Sequence, residues 1–299
     1  MVEFNRRGRL STGRVRDQRG SGGVPGGKLA VGGVGGLVLL IVAALAGIDP
    51  SVLLQATGAG GGGEPPAGGG LEACETTADI ETTPECRFVA FENSVQDFWA
   101  DTFEANGVAY EYATLTVFTG GVSTACGSAS SAMGPFYCPA DEGVYMDLGF
   151  FDVLVERLGA TGGDFAEAYV VAHEVGHHVQ NVLGTNRRVQ SREGPESDGV
   201  RLELQADCYA GVWAHHATRT PTAGGGAPVI SEISDEDIAE AIDAAETVGD
   251  DYIQTRSQGN VTPETWTHGS SEQRRTWFGR GLDTGDPEAC DTFAPDAEL

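Results

Sequence analysis

VAHEVGHHVQ, residues 171–180, decides how the rest of the chain is read. It sets His173 and His177 four residues apart with Glu174 directly after the first, the H-E-x-x-H pattern. On an α-helix, positions i and i+4 share a face. Two imidazoles so placed can hold Zn²⁺ while the glutamate between them handles a metal-bound water. The flanks support a helix. Gly162 and Gly163 end the preceding element, and Asp164 is suited to an N-cap. Phe165, Tyr169, Ala172, Val175, Val179 and Leu183 form an apolar stripe until Gly184 stops the run. The competing reading is a core histidine beside a surface Glu-His pair.

A catalytic zinc usually has three protein ligands and one open position. The same stretch does not supply the third, because Gln180 and Leu183 stand where an extended motif would have Gly and His. Downstream, RLELQADCYAGVWAH at 201–215 is a second helical pattern, with Leu204, Cys208, Gly211 and Val212 on one face. Glu203 and Asp207 lie four apart on an adjoining face. One of them is the third ligand. The other is a surface charge or, in the case of Asp207, a partner for the second ring nitrogen of a liganding histidine. Ala206 and Ala210 leave room for close approach to the first helix.

The chain has 299 residues, enough for one or two domains with a sizeable core, and a net charge of −26. Its ends differ. Residues 1–28 carry six Arg and Lys28 against Glu3 and Asp17, whereas from residue 29 onward there are 11 Arg, no Lys and 42 acidic residues. The acidic bulk excludes nucleic acid as a partner, and the scarcity of Lys suits a salty environment. Residues 29–48, LAVGGVGGLVLLIVAALAGI, hold no charge and are long enough, at about 1.5 Å per residue, to span a bilayer. Basic residues before and acidic residues after them predict a single-pass anchor with a cytoplasmic N-terminus and an extracytoplasmic catalytic domain. The basic tail would meet anionic lipid on the cytoplasmic side. A cleavable signal peptide ending near Ala44-Leu45-Ala46 is the alternative.

The predicted organisation is a basic, disordered tail at 1–28, a transmembrane helix at 29–48, a Gly/Pro-rich linker at 49–70 and one folded domain at 71–299. Within the domain the patterns predict a helix over 88–106, a strand within 111–119, and two short strands, FYC and VYMDL, joined by the turn PADEG. A strand beside the metal, 134–138 or 143–146, is expected to bind extended substrate through its backbone. A short helix at 150–158 precedes the metal helix. Ser234 with Asp237 opens a helix running to about residue 253. The class is α+β, mostly helical with a small sheet.

Six cysteines allow 15 pairings. Spacings of 12 invite Cys74 with Cys86 and Cys126 with Cys138, which leaves Cys208 with Cys290. His268 opens HGSSEQRRTWF, where Ser270 or Ser271 can cap a helix. It is a candidate to stabilise the oxyanion of a tetrahedral intermediate, a part an Arg of the same stretch could also play. Otherwise it fixes a loop by hydrogen bonds.

Taken together, SSAMGPFYCPAD, VYMDLGFFDVL, HEVGHHVQNVLG, RLELQADCYAGVWAH, VGDDYIQ and HGSSEQRRTWF closely resemble the bacterial neutral zinc metallopeptidase family, over roughly residues 1–290. The resemblance implies a zincin-like domain of the gluzincin kind, N-terminally anchored, with one Zn²⁺ per chain. It carries over His173 and His177 as ligands, Glu174 as catalytic base and Glu203 as third ligand. The function it implies is endopeptidase hydrolysis of envelope or secreted polypeptides by a Glu-activated, zinc-bound water. A catalytically inactive, zinc-stabilised binding module is one alternative. A zinc amidohydrolase acting on a non-peptide or cell-wall amide is another. Oligomeric state is not legible.

Overall fold

The computed structural model describes residues 1–6, 8–20, 70–223 and 225–299. In chain order its strands and helices are β1 (Glu3–Phe4), β2 (Val15–Asp17), α1 (Cys86–Ala105), β3 (Thr114–Phe118), β4 (Gly121–Thr124), β5 (Gly127–Ser130), β6 (Phe136–Cys138), β7 (Gly143–Asp147), α2 (Gly149–Val153), α3 (Asp164–Leu183), α4 (Asp198–His216), β8 (Ile230–Glu232), α5 (Asp235–Thr247), α6 (Asp250–Gln258) and α7 (Ser271–Thr284). The described part is helix-rich with a small mixed sheet of order β2-β3-β7-β6. In it β2, β3 and β7 run parallel and β6 is antiparallel to β7. β7 therefore has a strand on either side, and of the two expected substrate strands only β6 offers a sheet edge.

The helices start and stop where their sequences provide partners for orphan backbone groups. α3 begins after Gly163, with Asp164 and Glu167 in its first turn and Glu240 accepting from Phe165 N at 3.0 Å, and it ends at left-handed Gly184. Asp164 is thus the first helical residue and Gly163 the cap. α4 starts on Ser197, whose hydroxyl accepts from Val200 N. Ser234 with Asp237, and Ser270 with Gln273, form capping boxes for α5 and α7.

Core packing brings α3, α4 and α7 together around Tyr169, Trp213, Trp277 and Phe278, all buried. Gly176, inside the H-E-x-x-H motif, lies against α4, where a Cβ would meet the Ala206 backbone at 3.1 Å. The contact of α4 with α7 is tighter still. A Cβ at Gly281 would stand 2.0 Å from the Cys208 carbonyl oxygen. The first contact fixes the metal-motif helix against the helix that carries Glu203 and Asp207, and the second fixes that helix against α7.

Three disulfides close as the spacing suggested: Cys74–Cys86, Cys126–Cys138 and Cys208–Cys290. The stretch at 120–135, where no strand was expected, contains the β4–β5 hairpin, whose Val122 and Ala129 cover Phe118 and Tyr145 in a small second core. The helix expected to run to residue 253 breaks at Gly249. The break turns Asp250 towards the loop at 267–269, where its carboxylate collects three backbone N–H groups.

The tail and the topology need correction. Residues 1–20 are not a separate disordered tail. β2 pairs with β3, β1 pairs with β8, and Val2 and Val15 are buried. Arg14 reaches Glu92 and Asp97 on α1, and Asp17 accepts from Leu71 N at 3.1 Å. A chain crossing a bilayer once between these two parts would put them on opposite faces, yet they share one sheet. The expected span at 29–48 lies outside the described residues, as does most of the linker at 49–70. Among the described residues no helix is long and apolar enough to cross a membrane. The single-pass anchor, the membrane as a partner through it, and the cytoplasmic N-terminus with an extracytoplasmic domain are all overturned.

Candidate metal centre

α3 and α4 present three ligand-type side chains to one point. His173 Nε2 lies 3.1 Å from His177 Nε2 and 3.3 Å from Glu203 Oε2, and His177 Nε2 lies 3.6 Å from Glu203 Oε1. Ligand atoms each about 2.1 Å from a tetrahedral ion stand roughly 3.4 Å apart, so the spacing fits a metal such as zinc. The protonation pattern fits as well. His173 Nδ1 donates to Asp207 Oδ1 at 2.8 Å, and His177 Nδ1 donates to Gln180 Oε1 at 2.9 Å. Both Nδ1 atoms are thereby engaged and both Nε2 atoms face the carboxylate, so the gap between them calls for a cation. These three residues form a cluster that can hold a metal ion.

Without a metal, the gap favours a protonated His173. Burial works against a charged His173, but Asp207 and Glu203 outweigh it and raise the imidazole to about 9. Burial also opposes ionisation of Glu203, yet His177 and His173, with His268 further off, hold its carboxyl well below the usual range. Glu174 has no such close cation: burial raises its pKa, and the two imidazoles offset this only in part.

Asp207, fully buried, is the hub behind the cluster. Besides His173 it accepts from Tyr169 Oη at 2.5 Å, from Arg274 Nε at 2.8 Å and from Arg274 Nη2 at 2.9 Å. Burial raises the carboxyl's pKa, but Arg274 and His173 bring it down to about 2. Asp207 thus stands on the far side of His173 from Glu203, which separates the two positions the sequence left open. Tyr169, Gln180 and Asp250 were not singled out as site residues by sequence reasoning, and Arg274 entered it only as one of two arginines able to serve an oxyanion, not as the partner of Asp207. Arg274 shares the buried face of α7 with Trp277 and Phe278, and its partner lies 67 residues away.

His268 is held in the loop before α7. Its backbone N donates to Asp250 Oδ2 at 2.7 Å, and its Nδ1 lies 2.8 Å from Thr267 Oγ1 and 3.5 Å from Asp250 Oδ1. Burial lowers its pKa, but Asp250 and Glu203 raise it further, leaving the ring more basic than a free imidazole. His178, next to the cluster but turned away, donates from Nε2 to Glu111 O at 2.6 Å and accepts at Nδ1 from Tyr137 Oη at 3.0 Å. Asn181 also donates to that hydroxyl, so edge strand β6 is pinned to α3 beside His177.

Comparison with known proteins decides the family. Residues 4–293 match the family described as "Putative neutral zinc metallopeptidase". The chain belongs to this family. Among its relatives, the protein Rv2575 of Mycobacterium tuberculosis is 48% identical over 253 residues, covering 84% of this chain and 85% of the relative. YpfJ of Escherichia coli K12 is 40% identical over 301 residues, covering 96% and 97%. No solved structure matches. Family membership together with the His/His/Glu cluster identifies a zinc-dependent hydrolase of the neutral metallopeptidase family.

Proposed function

We propose that this family member is an endopeptidase that hydrolyses peptide bonds in extended polypeptides. The observation that carries the reading is the convergence of two Nε2 atoms and the Glu203 carboxylate, with the buried Glu174, its pKa raised by burial, on the helix of the two histidines. His173, His177 and Glu203 would hold the zinc. Bound there, it supplies Lewis acidity, which acidifies water and polarises a carbonyl.

The remaining work falls to the chain's own residues. Glu174, less acidic than a free carboxylate, takes a proton from the attacking water and passes it to the leaving amine. His268, made more basic than a free imidazole by Asp250 and Glu203, donates to the oxyanion of the tetrahedral intermediate. Asp207 holds His173 in the tautomer that leaves Nε2 free. β6 ends the sheet beside His177, so its outer edge suits an added strand of substrate.

The test pairs metal content with cleavage of an unfolded protein such as casein, for the full chain and for Glu174→Gln. The expected result is about one zinc in both and cleavage by the wild type alone, lower by at least roughly 10²-fold in the variant. Equal cleavage by both would remove Glu174 from the mechanism. Correctly folded wild type without zinc would sink the site.

A further inference from the structure

His177 can bind a metal through Nε2 only when its neutral ring carries the proton on Nδ1. Gln180 Oε1, 2.9 Å away, accepts that proton's hydrogen bond. An amide could equally turn its NH₂ towards the ring, which would shift the proton to Nε2 and close the ligand. What prevents the turn is a row of groups behind it. Gln180 Nε2 donates to the Leu202 carbonyl oxygen at 2.6 Å and to Gln205 Oε1 at 3.2 Å. Gln205 Nε2 in turn donates to the Cys290 carbonyl oxygen at 2.9 Å.

Backbone carbonyls accept and never donate, so the polarity of the row has one solution. Cys290 and Leu202 force each glutamine to present its NH₂ away from the metal. Each Oε1 then faces forward, and His177 must present Nδ1–H. Gln180 is fully buried and Gln205 is 4% exposed, so bulk water cannot supply the opposite arrangement. The far end of the row is fastened to α4. Cys290 is bonded to Cys208, Thr292 Oγ1 donates to Arg201 O at 2.7 Å, and Arg201 Nη1 donates to the Thr292 carbonyl oxygen.

We propose that Gln180 and Gln205 are positioning residues that fix His177 in its metal-binding tautomer, with the Cys208–Cys290 bridge holding the carbonyl on which the row ends. The proposal rests on the reading of His177 as a ligand, and its test separates the two.

The full chain, labelled with ¹⁵N, is compared with Gln180→Leu and Gln205→Leu, each checked for its fold by circular dichroism. Imidazole ¹⁵N spectra of the metal-free protein, at a pH where His177 is neutral, report which nitrogen carries the proton. Competition with a chromophoric chelator reports zinc affinity. Wild type should show Nδ1–H. Gln180→Leu should populate Nε2–H and bind zinc about 10–100-fold more weakly. Gln205→Leu keeps the Leu202 anchor and should lose roughly 3–10-fold. If Gln180→Leu does not fold, Gln205→Leu decides alone. Adding Cys208→Ser with Cys290→Ser to Gln205→Leu should cost no further affinity, because the bridge acts through Gln205. A purely structural role would lower stability and leave both tautomer and affinity at wild-type values, which overturns the proposal. Wild type that binds no zinc sinks the metal reading instead, and the tautomer spectra then still decide whether the glutamines orient His177.

Discussion

Replacing Asp207 by Asn preserves shape and removes one charge at the point where the site is most densely wired. The carboxylate is fully buried and accepts four hydrogen bonds, from Tyr169, from His173 and twice from Arg274. An amide oxygen in the Oδ1 position keeps Tyr169 and His173, but the NH₂ then faces Arg274 Nε, a donor against a donor. Arg274 is 3% exposed and loses its counter-charge. Removing one partner of a buried ion pair costs about 3–5 kcal/mol. At roughly 2–4 °C per kcal/mol for a domain of this size, Tm should fall by about 10 °C. Separately, a weaker partner at His173 Nδ1 should reduce zinc affinity about 10–100-fold. Urea melts of the metal-free and zinc-loaded proteins measure the first, and chelator competition measures the second. Asp207→Asn combined with Arg274→Met should recover much of the lost stability while leaving zinc affinity low. A single variant within about 1 kcal/mol of wild type would refute the ion-pair reasoning.

The metal-free protein should lose stability as pH rises. His173 sits at about 9, above its unfolded value of 6.5, so its contribution is complete below pH 6.5 and disappears through pH 9. Zinc must expel that proton, so affinity should climb by about tenfold per pH unit over the same window, and thermal melts with and without chelator should diverge. Gly281→Ala puts a methyl 2.0 Å from the Cys208 carbonyl oxygen and should cost roughly 3 kcal/mol or more in a urea melt, with weaker zinc binding as α4 shifts. Tyr137→Phe removes the hydroxyl that ties β6 to His178 and should raise KM for casein several-fold more than it lowers kcat, whereas an unchanged KM would separate β6 from substrate binding.

Contiguity explains what the sequence made legible. His173, Glu174 and His177 share one helix, and a 3.6-residue period is enough to align them. Glu203 and Asp207 also share a helix, but choosing between their positions needed the crossing of α3 and α4, and that is set by Gly176 against Ala206. The disulfides followed from spacing because two of them close loops of the same short length. The polar residues behind the ligands were hidden for the opposite reason. Arg274, Asp250, Gln180 and Gln205 read as ordinary helix residues, and their significance lies in partners on other elements. The first twenty residues misled by composition, since Gly and Arg suggest disorder when no partner is in view. Arg14 finds its carboxylates 78 and 83 residues further on.

The N-terminal strand has a consequence for anyone handling the protein. β2 covers the outer edge of β3, a parallel edge whose Leu115 and Val117 are buried. Trimming the first twenty residues as a dispensable leader would bare that row of unpaired N–H and C=O groups and uncover the apolar ground beneath Val2 and Val15. An open, apolar strand edge recruits strands from other molecules. A shortened chain could therefore keep every ligand of its metal centre and still precipitate, through a surface far from the chemistry.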